Sequence, residues 1–150
     1  MGVNDQMSSI GTLARLWRYP VKSMGGEELK EAFVGFAGIY GDRIYAVKNS
    51  ASRKGFPYLN ATSLHSMLTY QPQFRYPERM LAPTNYLEAM RISPGVSYAN
   101  AEAADNLLDV ASPANLLLDI EDPALLQLLK ESLSSDNHLS IVRSDRALTD

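Results

Sequence analysis

The sequence predicts an α+β fold that is mainly β, a small β-barrel-like domain carrying one short and one longer helix. Three observations lead there. Short β-compatible stretches recur along the chain, separated by turns containing glycine and proline. Sustained helical spacing behind a start signal appears in one place, residues 123–133. The chain of 150 residues is 45% hydrophobic and 21% charged, which suits a soluble domain that closes one core without covalent staples.

Residues Met1 to Ser9 are polar, lack an apolar signal core and read as a disordered lead-in. In Ile10 to Tyr19 helical spacing (Leu13, Leu16, Trp17) and alternation both fit. Pro20 pushes Tyr19 toward extended geometry, so a strand is expected, with Trp17 against the core. Met24 to Glu27 is a glycine turn. Leu29 to Val34 resumes as a strand. Gly35, Gly38 and Gly41 then recur every third residue; without a strand-to-helix context or a following Lys-Ser/Thr they read as turns and bulges, not as a phosphate loop.

Asp42 to Asn49 is the clearest strand, and 49–55 a polar loop. A short helix over 63–68 follows, with Asn60 or Thr62 as N-cap. Its His65 has no second ligand at metal spacing and reads as an ordinary surface or core histidine. Met67 to Phe74 is expected as a strand ending at or just after Pro72, and Leu87 to Ser93 as another by alternation. Val96 to Ala99 is a possible pairing segment and Asn100 to Asp105 an acidic loop. Residues 106–111 and 115–120 flank Ser112-Pro113-Ala114 as a hairpin. Asp122-Pro123 then opens the longer helix, 123–133, with Asp122 as N-cap and Leu125, Leu128, Leu129 and Leu133 on one face. Leu139 to Val142 is the last strand.

Composition excludes several classes of function. There is no cysteine, so no disulfide, thiolate nucleophile or thiolate metal ligand. Two histidines far apart make an all-protein zinc site untenable, and no apolar run approaches a membrane span. A net charge of −3 argues against nucleic acid as a partner. The charge is uneven, however. Residues 1–54 hold eight Lys and Arg against five Asp and Glu, while the remainder holds six against twelve. A basic front third on an acidic protein suits a local site for a small anion.

The residues for such a site stand in Tyr19-Pro20-Val21-Lys22-Ser23-Met24-Gly25-Gly26 and Gly41-Asp42-Arg43-Ile44-Tyr45. If the two strands pair, Lys22, Ser23 and Arg43 reach one end of a sheet, offering two cations and a hydroxyl to a phosphate. Read as residues alone, Lys-Ser before Gly-Gly is also a common solvated turn, and an Asp-Arg pair a weak local ion pair.

Arg18 to Gly26, followed by Gly-Asp-Arg-Ile-Tyr-Ala-Val, resembles the start of the MOSC N-terminal β-barrel domain. That is the front domain of molybdenum-cofactor MOSC proteins such as the mitochondrial amidoxime-reducing component family. The resemblance is specific over residues 13–47, looser over 55–74 and recoverable again over 107–150. Where the family usually has Thr-Ala-Arg before a short helix, this chain has Asn60-Ala61-Thr62-Ser63, and the arginine is missing.

The resemblance implies that Lys22, Ser23 and Arg43 contact the phosphate of molybdopterin, and that the cofactor is the molybdenum cofactor. It implies domain limits of 10–138 for the front domain, with 139–150 opening a truncated MOSC domain. It also implies that this chain alone does no catalysis, since the molybdenum-ligating cysteine would lie downstream. The expected partners are the pterin phosphate or another small anion and a downstream MOSC domain, with no nucleic acid and no membrane, in a cytoplasmic protein. The parent would be a molybdenum-dependent oxidoreductase or a sulfurase-like protein. An alternative of another class is a stand-alone anion-binding or protein-interaction module of the same fold without redox chemistry.

Overall fold

The computed structural model describes residues 10–94, 107–133, 137–144 and 148. The expected lead-in, the possible strand at 96–99 and the acidic loop at 100–105 lie outside the described residues.

β1 (Leu16–Arg18) pairs antiparallel with β2 (Glu27–Leu29). β3 (Val34–Gly35) and β4 (Gly38–Ile39) form a minimal hairpin. β5 (Tyr45–Asn49) leads through a loop and a 3-10 helix, His65–Thr69, to β6 (Gln71–Phe74). A second 3-10 helix, Pro77–Met80, and α1 (Tyr86–Ala89) follow. β7 (Leu108–Ala111) and β8 (Leu117–Asp119) form the expected hairpin, α2 (Pro123–Glu131) the expected longer helix and β9 (Leu139–Arg143) the last strand.

Among the described residues the fold is mainly β with few helices, as expected, but the strands do not close into a barrel. Among the described residues they form four small sheets: β1-β2, β3-β4, β5-β9 and β6-β7-β8. Strands of two to five residues end before a shared ladder can curl round on itself.

The molecule is built around β5. Tyr45, Ala46 and Val47 are fully buried. On one edge β5 pairs antiparallel with β9, Ala46 opposite Val142 and Lys48 opposite Ser140. On its other edge two non-ladder segments take the backbone groups. Tyr45 N donates to the Pro20 carbonyl (3.1 Å) and Lys22 N to the Tyr45 carbonyl (2.9 Å), while Leu59 N donates to Val47 and Asn49 N to Pro57. With both edges occupied, a strand of Tyr-Ala-Val-Lys-Asn can sit inside the core with its polar backbone satisfied. Leu125 and Leu129 of α2 are buried, with Leu128 and Leu133 partly so, and Asp122 caps the helix by accepting from Ala124 N.

Several expected elements are corrected. Trp17 does not face the core: it is 41% exposed, and its neighbour Arg18 is buried instead. The Arg18 guanidinium donates to the Glu27 carboxylate and to the carbonyls of Tyr40 and Met80, and lies 4.8 Å from the Phe74 ring centre. A planar fork with fixed donors fills an interior that has carbonyls to satisfy better than an indole does. Gly41, at φ 86°, leaves the space that Arg18 occupies: a Cβ there would stand 3.0 Å from its Nη1.

Leu29 to Val34 is not one strand; β2 ends at Leu29 and β3 starts at Val34. The first turn falls at 21–24, where Met24 N donates to Val21, three residues earlier than expected. The helix expected at 63–68 is the 3-10 helix His65–Thr69, and neither Asn60 nor Thr62 is its N-cap; Asn60 instead accepts from Ser63 N in a turn before it. β6 therefore starts at Gln71 and runs through Pro72, a proline tolerated because β6 is an edge strand. Residues 87–93 are not a strand: Asn85 accepts from Glu88 N, Glu88 takes the Thr84 N–H and hydroxyl, and the chain turns into α1.

Candidate anion-binding site

The two segments that the sequence sets about twenty residues apart meet beside β5. The backbone of 19–22 runs along 43–45: Arg43 N donates to Tyr19 (2.7 Å), Tyr45 N to Pro20 and Lys22 N back to Tyr45, and Val21 makes a parallel bridge with Tyr45. Lys22 and Ser23 are the two central residues of the 21–24 turn. Arg43 stands two residues before the strand that accepts that turn.

Ser23 and Arg43 share an unusual feature. Ser23 has φ 65° and Arg43 φ 48°; among the described non-glycine residues, Asn115 alone shares the left-handed region with them. Placing an L side chain there costs roughly 1–2 kcal/mol per residue. Turns normally give such positions to glycine or asparagine, and strain of this kind gathers at functional sites.

Their side chains are supplied with donors. The Ser23 hydroxyl and backbone N–H make no hydrogen bond to a described residue. Arg43 uses Nε on the Asp42 carboxylate, 2.7 Å away, and its side chain is about half exposed, so its two terminal nitrogens remain available. Lys22 is buried to 8% exposure, and its side chain or backbone has an interaction beyond the Tyr45 bond.

The sequence reading missed Asp42 as a positioning residue. One carboxylate oxygen takes the Tyr19 N–H at 2.9 Å and the other holds Arg43 Nε. The carboxylate ties the first segment to the second and fixes the base of the guanidinium. An Asp directly before Arg reads as a weak surface pair, yet this one is buried, where hydrogen bonds to an ionised group are strong. It also sets one negative charge beside the Arg43 guanidinium.

Guanidinium nitrogens, a hydroxyl and a backbone N–H are the donor types that a small anion takes. Among the described residues no group of His, Asp and Glu is arranged to hold a metal ion, and no helix is long and apolar enough to cross a membrane.

Comparison with curated proteins and with solved structures returned no match. A family model described as the MOSC N-terminal beta barrel domain matches residues 10–121, a span that contains both halves of the site. With three quarters of its length inside that match, the chain belongs to the MOSC N-terminal beta barrel domain family.

Proposed function

We propose that this chain is the front domain of a molybdenum-cofactor-binding MOSC protein, and that Lys22, Ser23 and Arg43 hold the terminal phosphate of the pterin. The observation that supports this most is the backbone pairing of 19–22 with 43–45, which brings the three residues to adjoining positions, two of them in strained left-handed geometry. The donor set fits the phosphate end of the cofactor: terminal guanidinium nitrogens, a hydroxyl and an N–H without partners among the described residues, and a second cation. When bound, the group would supply the redox chemistry through its metal. The residues described here bind and orient its phosphate and do nothing to the metal.

The test is a titration with inorganic phosphate followed by amide chemical shifts. Shifts at residues 20–24 and 42–45 are expected, and Lys22→Ala with Arg43→Ala should abolish them while the fold, read from the unaffected amides, persists. Unchanged phosphate binding in the double variant defeats the assignment. Isolated molybdopterin should compete with phosphate for the same amides.

A further inference from the structure

A cleft of about 610 Å³ lies at the other end of β5. Asn49, the last residue of β5, borders it, four residues from Tyr45 and so about 13 Å along the strand from the phosphate site. The extended segment that follows pairs with β5 through Tyr58 and Lys48, and alternation turns Phe56 and Tyr58 to the cleft while Leu59 is buried in the core.

Both walls are held by their own hydrogen bonds. On one side Asn49 accepts from Ala51 N, Ser52 N donates to Asn49 and Phe56 N to Arg53, with Gly55 at φ 92° closing the loop. Ser50 anchors that loop to the segment before β9: its N–H donates to the His138 carbonyl and its hydroxyl accepts from His138 N. On the other side Ser63 N donates to the Asn60 side chain and the Ser63 hydroxyl to the Asn60 carbonyl.

The lining is chemically one-sided. Among the described residues no carboxylate borders the cleft. Arg53 forms neither an ion pair nor a side-chain hydrogen bond with a described residue. Phe56 is about half exposed, and Ser52 and Thr62 line the same cleft. A concave site with an aromatic wall, a few hydroxyls and one cation takes a flat ring carrying an acid. A bare phosphate would leave most of this volume and the aromatic wall unused.

We infer that this cleft is a second small-molecule site, separate from the phosphate site, for a planar aromatic ring bearing one acidic group, with the ring on Phe56 and Tyr58 and the acid on Arg53. A mononucleotide and an aryl carboxylate share that chemistry.

The probes are adenosine 5′-monophosphate, benzoate, uncharged adenosine and inorganic phosphate, each titrated into the full chain and read by amide chemical shifts. Adenosine monophosphate or benzoate should move the amides of residues 49–63 at millimolar concentration. Adenosine should bind at least fivefold more weakly than its monophosphate, and phosphate alone should leave these amides still. Arg53→Ala and Phe56→Ala, both on exposed side chains, should each weaken the binding about tenfold, and Arg43→Ala should not change it. The proposal fails if no amide in 49–63 responds to either aromatic acid, if the two variants bind as the parent does, or if the response follows Arg43. The phosphate titration reads the proposed function separately, so either site can fail alone.

Discussion

Ser23 occupies a position where an L side chain is strained, and a glycine would relieve it. Relief of roughly 1–2 kcal/mol is offset by the extra freedom a glycine gives the unfolded chain, typically 0.4–1 kcal/mol. Ser23→Gly is expected to raise stability by about 0.5–1 kcal/mol in a denaturant melt while weakening phosphate binding, because it deletes the hydroxyl. A variant that is less stable, or more stable with unchanged phosphate affinity, would mean that the serine is not held there for a ligand. Tyr40 carries a second residue-scale prediction. Its phenol is buried with no hydrogen-bond partner among the described residues, and burial, with the Glu88 carboxylate adding to it, holds its pKa above the ordinary value of 10.0. The fold therefore keeps the proton. Above pH 10 the unfolded chain releases a proton that the folded chain retains, so stability is full below that pH and falls as pH rises. Tyr40→Phe removes one source of the fall and one unpaired hydroxyl. It should leave neutral-pH stability equal or higher by about 1 kcal/mol, and make the alkaline loss shallower. Tyr45 and Tyr70 are raised by burial as well, so the loss should not vanish.

Elements are held together here by single side chains more than by long ladders. Asp42 is the clearest case, since its carboxylate joins the Tyr19 backbone to the Arg43 side chain. If charge alone governed the site, Asp42→Ala would raise phosphate affinity by removing a negative group. If positioning governs it, affinity falls, by roughly 1 kcal/mol or fivefold to tenfold for a lost charge-assisted hydrogen bond. Calorimetric phosphate binding at fixed ionic strength separates the two. The same dependence on single side chains explains what could be read from the residues beforehand. Asp122-Pro123 followed by leucines at helical spacing announces α2, since cap, first position and face all agree. The hairpin of β7 and β8 is equally plain from its proline turn. At 87–93 alternation competed with Asn85-x-x-Glu88, a capping signal visible in the sequence, and the cap won because three hydrogen bonds form at once. Trp17 and Arg18 were exchanged for another reason. Which side of a three-residue strand faces inward depends on the carbonyls of Tyr40 and Met80, 22 and 62 residues away, and no local pattern records them. Lys22, Ser23 and Arg43 could be named as candidates from residue type together with the family resemblance. The left-handed geometry of Ser23 and Arg43 was not legible, because neither is a residue that usually signals it.

At the scale of the whole molecule, the question is where this folded unit ends. The family match closes at residue 121, while the resemblance read from the sequence places the opening of a following domain at 139. In the structure Leu139–Arg143 pairs with all five residues of β5, Ser144 N donates to Ile44 and Leu148 N to Arg43. Removing that segment would expose one whole edge of the most buried strand, including the backbone of Ala46 and Lys48, and would take the side chains of Leu139 and Ile141 out of the core. Unpaired backbone groups of this kind cost about 1–3 kcal/mol each when they stay buried, and several together exceed what a domain of this size can lose. The edge left open would also be free to pair with another chain. A chain shortened to end at Leu133 should therefore lose cooperative thermal unfolding, and with it the phosphate response at residues 20–24, because β5 supports that turn through Tyr45. Retention of a sharp transition and of phosphate binding would show that β5 closes on its other edge alone. Residues 139–150 would then belong to a following domain, as the sequence reading holds.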